Sequence, residues 1–261
     1  MLYHPEFDPI AVHIGPIAVR WYGLMYLIGF ASGLMLGRAR IRANQNPSIS
    51  IREFDDLLFY IILGVIVGGR LGYALIYDFA GVLHSPISIL YVWKGGMSFH
   101  GGLLGVVIAF GFFARATGKS YFSISDFIVP MVPVGLFFGR IGNFINGELW
   151  GKVSDVPWAM IFPNAGPLAR HPSQLYEAML EGVLLFLILW IYSAKPKPPG
   201  AVSGLFLLGY GFFRFVVEFV RVPDQQYGYL LLDLITMGQI LSLPMIVIGL
   251  FITVRAFQRV K

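Results

Sequence analysis

Residues 139–151 of this 261-residue chain combine glycines, an arginine and two asparagines in a spacing that suits anion binding. Arg140 follows the apolar run 127–138, and an arginine at the end of such a run is costly unless it meets an anion. Asn143 lies one helical turn further on, so its amide shares a face with the guanidinium. Because a planar guanidinium binds phosphate bidentately, the segment predicts a phosphate pocket. The alternative is a structural ion pair with a glutamate such as Glu148.

A second set of polar residues lies in a later apolar run and falls on one helical face. Its members, spaced i, i+4, i+8 and i+11, are Tyr210, Arg214, Glu218 and Arg221. Glu218 could neutralise either arginine and leave the other for a ligand. The alternative is a structural charge ladder, which we favour for Glu218 and Arg221. Arg214 lies deeper between two phenylalanines, so we expect it to be functional.

His100 lies between glycine pairs at 95–96 and 101–102, which indicates backbone that bends around a ligand. Histidine is the most frequent general base near neutral pH, so His100 is the natural base of this region. The alternative is a hydrogen-bonded structural residue. Arg70 lies in a Gly-Arg-Leu-Gly sequence that resembles the Gly-Arg-Ile-Gly at 139–142, and we count it among the candidate lipid-binding residues.

Glu177 and Glu181 are spaced i, i+4 at the start of the fifth apolar run. Either could act as an acid or a base. The interpretation that we favour is that Glu177 holds the Arg170–His171 segment or one of the buried arginines. No metal site is expected, because the five histidines are scattered and cysteine is absent.

The elements that must position these residues are membrane helices. The chain is 57% hydrophobic and 13% charged, with a mean hydropathy of +0.72, which excludes an ordinary soluble domain. Its apolar runs predict an all-α, polytopic membrane protein of about seven transmembrane helices. The approximate helix cores are 17–37, 54–77, 101–115, 124–141, 174–192, 203–220 and 236–255. Glycine, proline and aromatic residues interrupt the third and fourth cores, so partly irregular backbone is expected there.

We expect residues 1–261 to form a single transmembrane domain, with 142–173 as an outer (periplasmic) cap or arm between helices four and five. Eleven lysines and arginines follow the first, third, fifth and seventh helices, and five lie on the opposite side. The positive-inside rule therefore predicts an N-terminus outside the membrane and a cytoplasmic C-terminus; in a bacterium, the outer side of the inner membrane is the periplasm. This orientation places the three membrane arginines and His100 in the outer half. The net charge of +5 is spread over loops, which fits contact with membrane lipids and not with nucleic acid.

An enzyme that acts on a phospholipid fits these residues better than two other classes of membrane protein. A transporter should carry polar groups on both sides of mid-depth in repeated halves. An intramembrane protease needs a nucleophile with a base, or paired aspartates. The predicted helix cores show neither pattern, whereas arginines for a lipid phosphate and a candidate base are both present.

The motifs resemble those of the bacterial prolipoprotein diacylglyceryl transferase family. The resemblance rests on Trp21-Tyr22-Gly23, His100-Gly101-Gly102, 139–148, 170–177 and 209–214, which occur in the family's order over nearly the whole chain. The 142–173 segment is shorter than in some members. The resemblance implies that the diacylglyceryl group of phosphatidylglycerol is transferred to the lipobox cysteine thiol of a prolipoprotein. A thioether forms and glycerol 1-phosphate is released, as the first step of lipoprotein maturation.

The implied partners are phosphatidylglycerol, prolipoprotein signal peptides with a lipobox cysteine, and membrane lipids, and no cofactor is implied. The implied catalytic residues are His100, Arg140 and Arg214. The implied lipid-binding residues are Arg140, Asn143, Asn146, Tyr22, Tyr210, Glu148, Gly151 and Arg70. In these roles His100 is the candidate base, and Arg140 with the two asparagines binds the lipid headgroup. Glu148 and Tyr22 orient these binding groups. Arg214 with Tyr210 stabilises the departing phosphate or activates the thiol, and Gly151 permits close approach.

Overall fold

The computed structural model describes residues 2–15, 17–43, 49–91, 95–223, 229–230 and 235–259. Lys94 and Lys261, two of the basic residues that predict the orientation, lie outside these ranges. The chain divides into two compact units, a first unit of Met1–Ala39 with Ile128–Lys261 and a second unit of Arg40–Phe127. The single transmembrane domain over 1–261 stays a prediction.

Helices build most of both units, as the long apolar runs predict. In chain order they are α1 (Trp21–Arg42), α2 (Ile51–Ile76), α3 (Phe79–His84), α4 (Phe99–Thr117), α5 (Tyr121–Ile128), α6 (Val132–Ile145), α7 (Ser173–Glu177), α8 (Leu185–Tyr192), α9 (Ala201–Val217) and α10 (Met237–Gln258). In the described part of the chain, six helical stretches are long and apolar enough to cross a membrane: α1, α2, α4, Tyr121–Ile145, Ser173–Tyr192 and α10. The shorter apolar helix α9 accompanies them. The prediction of an all-α, polytopic membrane protein is confirmed.

The first helix begins later than predicted. Ile10–Ile14 (β2) pairs antiparallel with Ile17–Arg20 (β3), so residues 17–20 form a strand and not the start of a helix. An apolar run alone does not distinguish a strand from a helix, and β-branched residues favour the strand. The change to helix comes at Trp21, whose backbone N–H donates to the Pro9 carbonyl at 3.1 Å.

In the second unit, α2 and α4 pack so closely that their contact requires glycine. A Cβ added at Gly64 would lie 2.6 Å from the Gly105 carbonyl oxygen. A Cβ added at Gly72 would lie 2.8 Å from Gly101 Cα. Small residues of this kind allow the backbones of membrane helices to touch. The contact fixes the start of α4, the helix that carries His100.

Two of the membrane-length helices are irregular. The 3₁₀ turn Val129–Met131 separates α5 from α6, where Pro130 removes a backbone donor. The π-helical segment Ala178–Leu184 joins α7 to α8 and contains Glu181. Such π segments are frequent at functional sites. The irregular backbone predicted for the fourth helix is confirmed, whereas the third, α4, is a regular helix of 19 residues.

In the first unit, α9 and α10 form a second close helix pair. A Cβ added at Gly249 would lie 2.5 Å from Leu208 N. Helix α9 ends at Val217, three residues before the predicted limit of its core, and turns follow it. The short strands Tyr229–Leu230 (β5) and Ile235–Thr236 (β6) pair antiparallel just before α10.

Backbone pairing orders the segment between helices four and five. Met160–Ile161 (β4) pairs in parallel with Leu2–Tyr3 (β1). The backbone of Arg170 bonds to Met160 in both directions, at 2.8 and 2.9 Å, and Gly151 N donates to the His171 carbonyl at 2.8 Å. These bonds join the two ends of 142–173, as expected of an ordered arm. Its placement outside the membrane stays a prediction.

Candidate active site

Three arginines and three glutamates of the first unit form one buried cluster. Its members are Arg140, Glu177, Glu181, Arg214, Glu218 and Arg221. The glutamates are the most deeply buried, with no more than 2% of their side chains exposed. When all six are ionised, their charges cancel, which makes burial of so many charged groups tolerable.

Arg214 is hydrogen-bonded to two glutamates of the cluster. Its Nη1 donates to Glu177 Oε1, and its Nη2 donates to Glu218 Oε1 at 2.5 Å. Arg221 Nη1 donates to the same Glu218 oxygen at 3.1 Å. The charge ladder predicted for Glu218 and Arg221 is therefore confirmed. So is the expectation that Glu177 holds one of the buried arginines.

Glu218 follows the last residue of α9 and is the electrostatic centre of this ladder. Its carboxylate accepts three hydrogen bonds: from Arg214 Nη2 and Arg221 Nη1 on Oε1, and from the Thr236 hydroxyl on Oε2 at 2.8 Å. Two guanidinium charges and a hydroxyl thus satisfy this buried carboxylate.

Arg140 is held differently from the other two arginines. Its Nε lies 3.3 Å from Glu177 Oε2, and its Nη2 lies 3.5 Å from Glu181 Oε2. These are ion-pair distances without hydrogen bonds: within the described residues, those carboxylate oxygens have no hydrogen-bond partner. The Arg140 side chain is 18% exposed, against 13% for Arg214 and 7% for Arg221. Arg140 is therefore the most exposed of the three arginines, and it makes no hydrogen bond to the carboxylate oxygens that face it.

Glu148, which the sequence offered as a partner for Arg140, binds two asparagines instead. Its Oε1 accepts hydrogen bonds from Asn143 Nδ2 at 2.8 Å and from Asn146 Nδ2 at 3.4 Å. Gln174 Nε2 holds the Glu148 backbone carbonyl at 2.6 Å. Glu148 therefore orients the two amides, as the resemblance implied, and binding of the lipid headgroup by these asparagines stays a prediction.

The turn after Glu148 is strained and tightly packed. Leu149 has a φ of 59°, in the left-handed region that side chains other than glycine rarely adopt. Its carbonyl accepts a hydrogen bond from the Ser173 hydroxyl at 2.9 Å, which helps to hold this conformation. A Cβ added at Gly151 would lie 2.6 Å from the Val220 carbonyl oxygen, so the chain's own backbone requires this glycine. Strain of this kind clusters at functional sites.

The two tyrosines predicted for the site lie beside the same arginines. A Cβ added at Gly142 would lie 3.1 Å from Tyr22 Cδ2, and the Tyr22 hydroxyl is close enough to Arg140 to interact electrostatically. The Tyr210 hydroxyl interacts in the same way with Arg140 and Arg214. The structure thus gathers eight sequence-predicted site residues in the first unit: Tyr22, Arg140, Asn143, Asn146, Glu148, Gly151, Tyr210 and Arg214.

Sequence reasoning missed His4, which supports the helix that carries Arg140. His4 is only 5% exposed, and its Nε2 donates to the Phe144 carbonyl at 2.6 Å. Its ring packs against those of Phe144 and Phe162, with centroids 4.9 and 5.0 Å away. The two bonded residues are 140 positions apart, so no local pattern reports the contact.

The other two predicted site residues, His100 and Arg70, belong to the second unit. His100 is exposed in the first turn of α4, with its ring centroid 5.6 Å from that of Phe99. Arg70 lies in α2, is 9% exposed and donates hydrogen bonds to four backbone carbonyls. Lipid binding by Arg70 stays a prediction.

Comparison with known proteins agrees with the resemblance seen in the motifs. The family model described as prolipoprotein diacylglyceryl transferase matches residues 9–255. Proteins named phosphatidylglycerol–prolipoprotein diacylglyceryl transferase are similar over nearly their whole length. The one from Methylococcus capsulatus is 57% identical over 259 residues, covering 99% of both chains. Those from Solidesulfovibrio magneticus and Cupriavidus metallidurans are 57% and 58% identical, covering 98% and 99% of this chain and 97% of each relative.

Proposed function

The chain belongs to the prolipoprotein diacylglyceryl transferase family, and we propose that it transfers the diacylglyceryl group of phosphatidylglycerol to a prolipoprotein cysteine thiol, with Arg140 binding the lipid phosphate. It is a multi-pass bacterial membrane enzyme. One observation supports the proposal that the lipid phosphate binds at Arg140. This arginine forms ion pairs with two buried carboxylates but is not hydrogen-bonded to them.

The reaction needs a strong nucleophile and a stabilised leaving group. The cysteine thiolate attacks the diacylglyceryl carbon that bears the phosphate ester, because the thiolate and not the thiol is the nucleophile. A carbon–sulfur bond forms as the carbon–oxygen bond breaks, and the bonding electron pair leaves with glycerol 1-phosphate. The thiol proton passes to a base. Negative charge therefore grows on the phosphate, where a preorganised cation lowers the barrier.

Arg140 suits this task because a phosphate can approach it without breaking a hydrogen bond. Its Nε and Nη2 face carboxylates at 3.3 and 3.5 Å, and we infer that the phosphate approaches from the side of Nη1. Arg214, by contrast, is hydrogen-bonded to two glutamates. We assign Arg214 to the fixed positive charge behind the phosphate, where it also holds Glu177 against Arg140. Such a fixed charge needs no reorganisation during the reaction.

An apolar groove beside the cluster suits an acyl chain of the lipid. The groove has a volume of about 440 Å³ and lies between α1, α6 and the π-helical segment with α8. Phe137 and Phe138 line it close to Arg140 in sequence, and Gly182 lines it next to Glu181. A diacyl lipid whose phosphate lies at Arg140 needs an apolar path for its chains, and this groove begins within a helical turn of that arginine.

His100 remains our candidate for the base that takes the thiol proton. It is a histidine, exposed in the first turn of its helix, and it follows two glycines with positive φ, Gly95 at 83° and Gly96 at 76°. The lipobox cysteine of a prolipoprotein signal peptide is the proposed acceptor. The chain itself has no cysteine, so the thiol must come from the substrate.

Replacement of Arg140 by lysine tests the proposed function at its central contact. The variant keeps the charge but loses the planar fork, and with it at least one charge-assisted hydrogen bond to phosphate. We expect kcat/KM for phosphatidylglycerol to fall by about 10- to 150-fold, which corresponds to about 1.5–3 kcal/mol. The measurement is transfer to a lipobox peptide with lipid in mixed micelles.

Arg255→Lys is the matched control, because Arg255 is an exposed arginine near the end of α10, with its guanidinium 5.3 Å from the Phe251 ring centroid. It should transfer at the unmodified rate. Near-normal transfer by Arg140→Lys would show that Arg140 contributes only general positive potential.

We propose that the enzyme lies in the inner membrane with a periplasmic N-terminus and a cytoplasmic C-terminus, from the eleven-to-five distribution of basic residues. A reporter enzyme that is active only in the periplasm should stay silent when fused after Lys261. A cytoplasmic reporter at the same position should be active. A strong periplasmic signal would reverse the orientation and move the proposed site to the inner leaflet.

A further inference from the structure

We propose that Arg70 is a positioning residue that fixes the start of the His100 helix, and that it does not bind the lipid phosphate. The proposal rests on the proposed role of His100 as the base. It differs from the role that the sequence predicted for Arg70. It follows from the hydrogen bonds of the guanidinium and from the way that the start of α4 contacts α2.

The Arg70 guanidinium is enclosed by backbone carbonyl oxygens. Nε donates to Ile89 O at 2.8 Å, and Nη2 donates to Ser88 O at 2.5 Å. Nη1 donates to Gly95 O at 2.7 Å and to Gly96 O at 3.0 Å. A guanidinium has five N–H donors, so four of them are used within the second unit. Little donor capacity is left for a phosphate.

These four bonds join two parts of the connection between α2 and α4. One part is the 3₁₀ turn Pro86–Leu90, and the other is the glycine pair that precedes α4. Gly95 and Gly96 both have positive φ, so their carbonyls point in directions that other residues adopt only with strain. The conformation that brings both carbonyls to Nη1 therefore depends on these two glycines.

The next residues dock on the same turn of α2. Ser98 N donates to the Gly69 carbonyl at 2.9 Å, one residue before Arg70. The Ser98 hydroxyl caps α4 by accepting from Gly101 N at 3.2 Å. His100 lies between the capping serine and the glycine that packs on α2. A displacement of the 95–98 backbone would therefore move the His100 side chain.

Lysine cannot replace this arrangement. An ammonium group has three donors at a single point, whereas the carbonyls at 88, 89, 95 and 96 surround three separate nitrogens of the fork. Arg70→Lys should therefore loosen the connection while it keeps the positive charge. A small displacement of a catalytic group lowers turnover strongly, so we expect kcat to fall by about 10- to 100-fold.

The experiment compares Arg70→Lys with the unmodified enzyme in three measurements: kcat, the dissociation constant for phosphatidylglycerol in nanodiscs, and amide hydrogen exchange over 86–101. We expect the lower kcat, lipid affinity within about twofold of the unmodified enzyme, and faster exchange over that segment. A partial recovery of kcat at higher pH is also expected, because more of the thiol then ionises without the base. Arg52→Lys, at an exposed arginine of the same helix, is the control and should change none of these quantities.

Gly95→Ala perturbs the same contact from the carbonyl side and covers the case in which Arg70→Lys does not fold. Among the residues that the structure describes, and apart from the two chain neighbours, no heavy atom lies within 4 Å of a Cβ added at Gly95, so the strain of this variant comes from its φ of 83°. It should show the same changes in kcat and exchange. Unchanged exchange in the variants that fold, or a tenfold loss of lipid affinity in Arg70→Lys, would overturn the proposal.

Failure of the Arg70 proposal can be distinguished from failure of the proposal that His100 is the base. If His100→Gln transfers at a normal rate, His100 is not the base, whatever Arg70 does. Faster exchange in Arg70→Lys would then show that Arg70 fixes this segment without any link to proton transfer. The lipid affinity measurement decides independently whether Arg70 binds phosphate.

Discussion

Replacement of His100 by glutamine is expected to lower the rate of diacylglyceryl transfer by about 10²–10⁴-fold, the usual contribution of a general base. Glutamine keeps much of the size and hydrogen-bonding capacity of histidine but cannot accept a proton near neutral pH. Phosphatidylglycerol binding should therefore be retained. Higher pH should restore part of the rate, since more of the free thiol ionises on its own.

Arg214→Gln is the comparison that separates loss of the base from loss of charge stabilisation. It removes positive charge from behind the phosphate, which higher pH does not replace. Both variants are measured as transfer rate against pH, with lipid and lipobox peptide in excess and with folding checked by size exclusion. If His100→Gln keeps substantial activity at neutral pH while Arg214→Gln is inactive throughout, the histidine base is wrong. His100 would then serve only to orient the turn at Gly101–Gly102.

Glu177→Gln is expected to lower the free energy of unfolding by about 3–5 kcal/mol, because it breaks a buried ion pair from one side. Glu177 is fully buried and accepts a hydrogen bond from Arg214. Its oxygens also lie 3.3 Å from Arg140 Nε and 3.9 Å from Arg221 Nε. Without this carboxylate, three guanidinium groups share the two remaining glutamates. The measurement is unfolding by a denaturing detergent in mixed micelles.

Glu6→Gln supplies the control for charge removal, because Glu6 is exposed in the N-terminal segment. A surface substitution of this kind should change the free energy of unfolding by less than about 0.5 kcal/mol. A change below about 1 kcal/mol in Glu177→Gln would mean that the cluster does not depend on this carboxylate, and that Arg140 is oriented by other groups.

The part of the site that the sequence predicted is the part set by helical spacing. Arg214, Glu218 and Arg221 fall on one face at i, i+4 and i+7, and they bond along that face. Arg140 and Asn143 likewise come from one helix. The glutamate spacing at the start of the fifth helix also indicated a partner for a buried arginine, which Glu177 is.

The contacts that the sequence did not predict join distant segments. Glu148 was offered as a partner for Arg140, but the asparagines at 143 and 146 bind it once the chain turns back after α6. The bond from His4 to the Phe144 carbonyl spans 140 residues. Arg70 shows a second limit of prediction from the sequence. The residue type alone does not show whether an arginine binds backbone carbonyl groups or a phosphate. Only the path of the 86–96 backbone shows which groups surround it.

Hydropathy located the membrane helices but not their ends or their irregular turns. Residues 17–20 are as apolar as the helix that follows, yet they pair as a strand with 10–14. The π-helical segment Ala178–Leu184 has no local sequence signal, although it carries Glu181 into the cluster. Such geometry depends on packing against α6, where a Cβ added at Gly182 would lie 2.7 Å from Phe137 Cβ.

The most direct test of the proposed reaction follows both products with purified enzyme. Phosphatidylglycerol labelled in its acyl chains and in its headgroup is incubated with a lipobox peptide that contains either cysteine or serine, and the products are identified by mass spectrometry. We predict that the cysteine peptide gains one diacylglyceryl group, that one glycerol phosphate is released for each modified peptide, and that the serine peptide is unchanged. A peptide that gains the phosphatidyl group with its phosphorus, or no modified peptide at all, would contradict attack at the diacylglyceryl carbon.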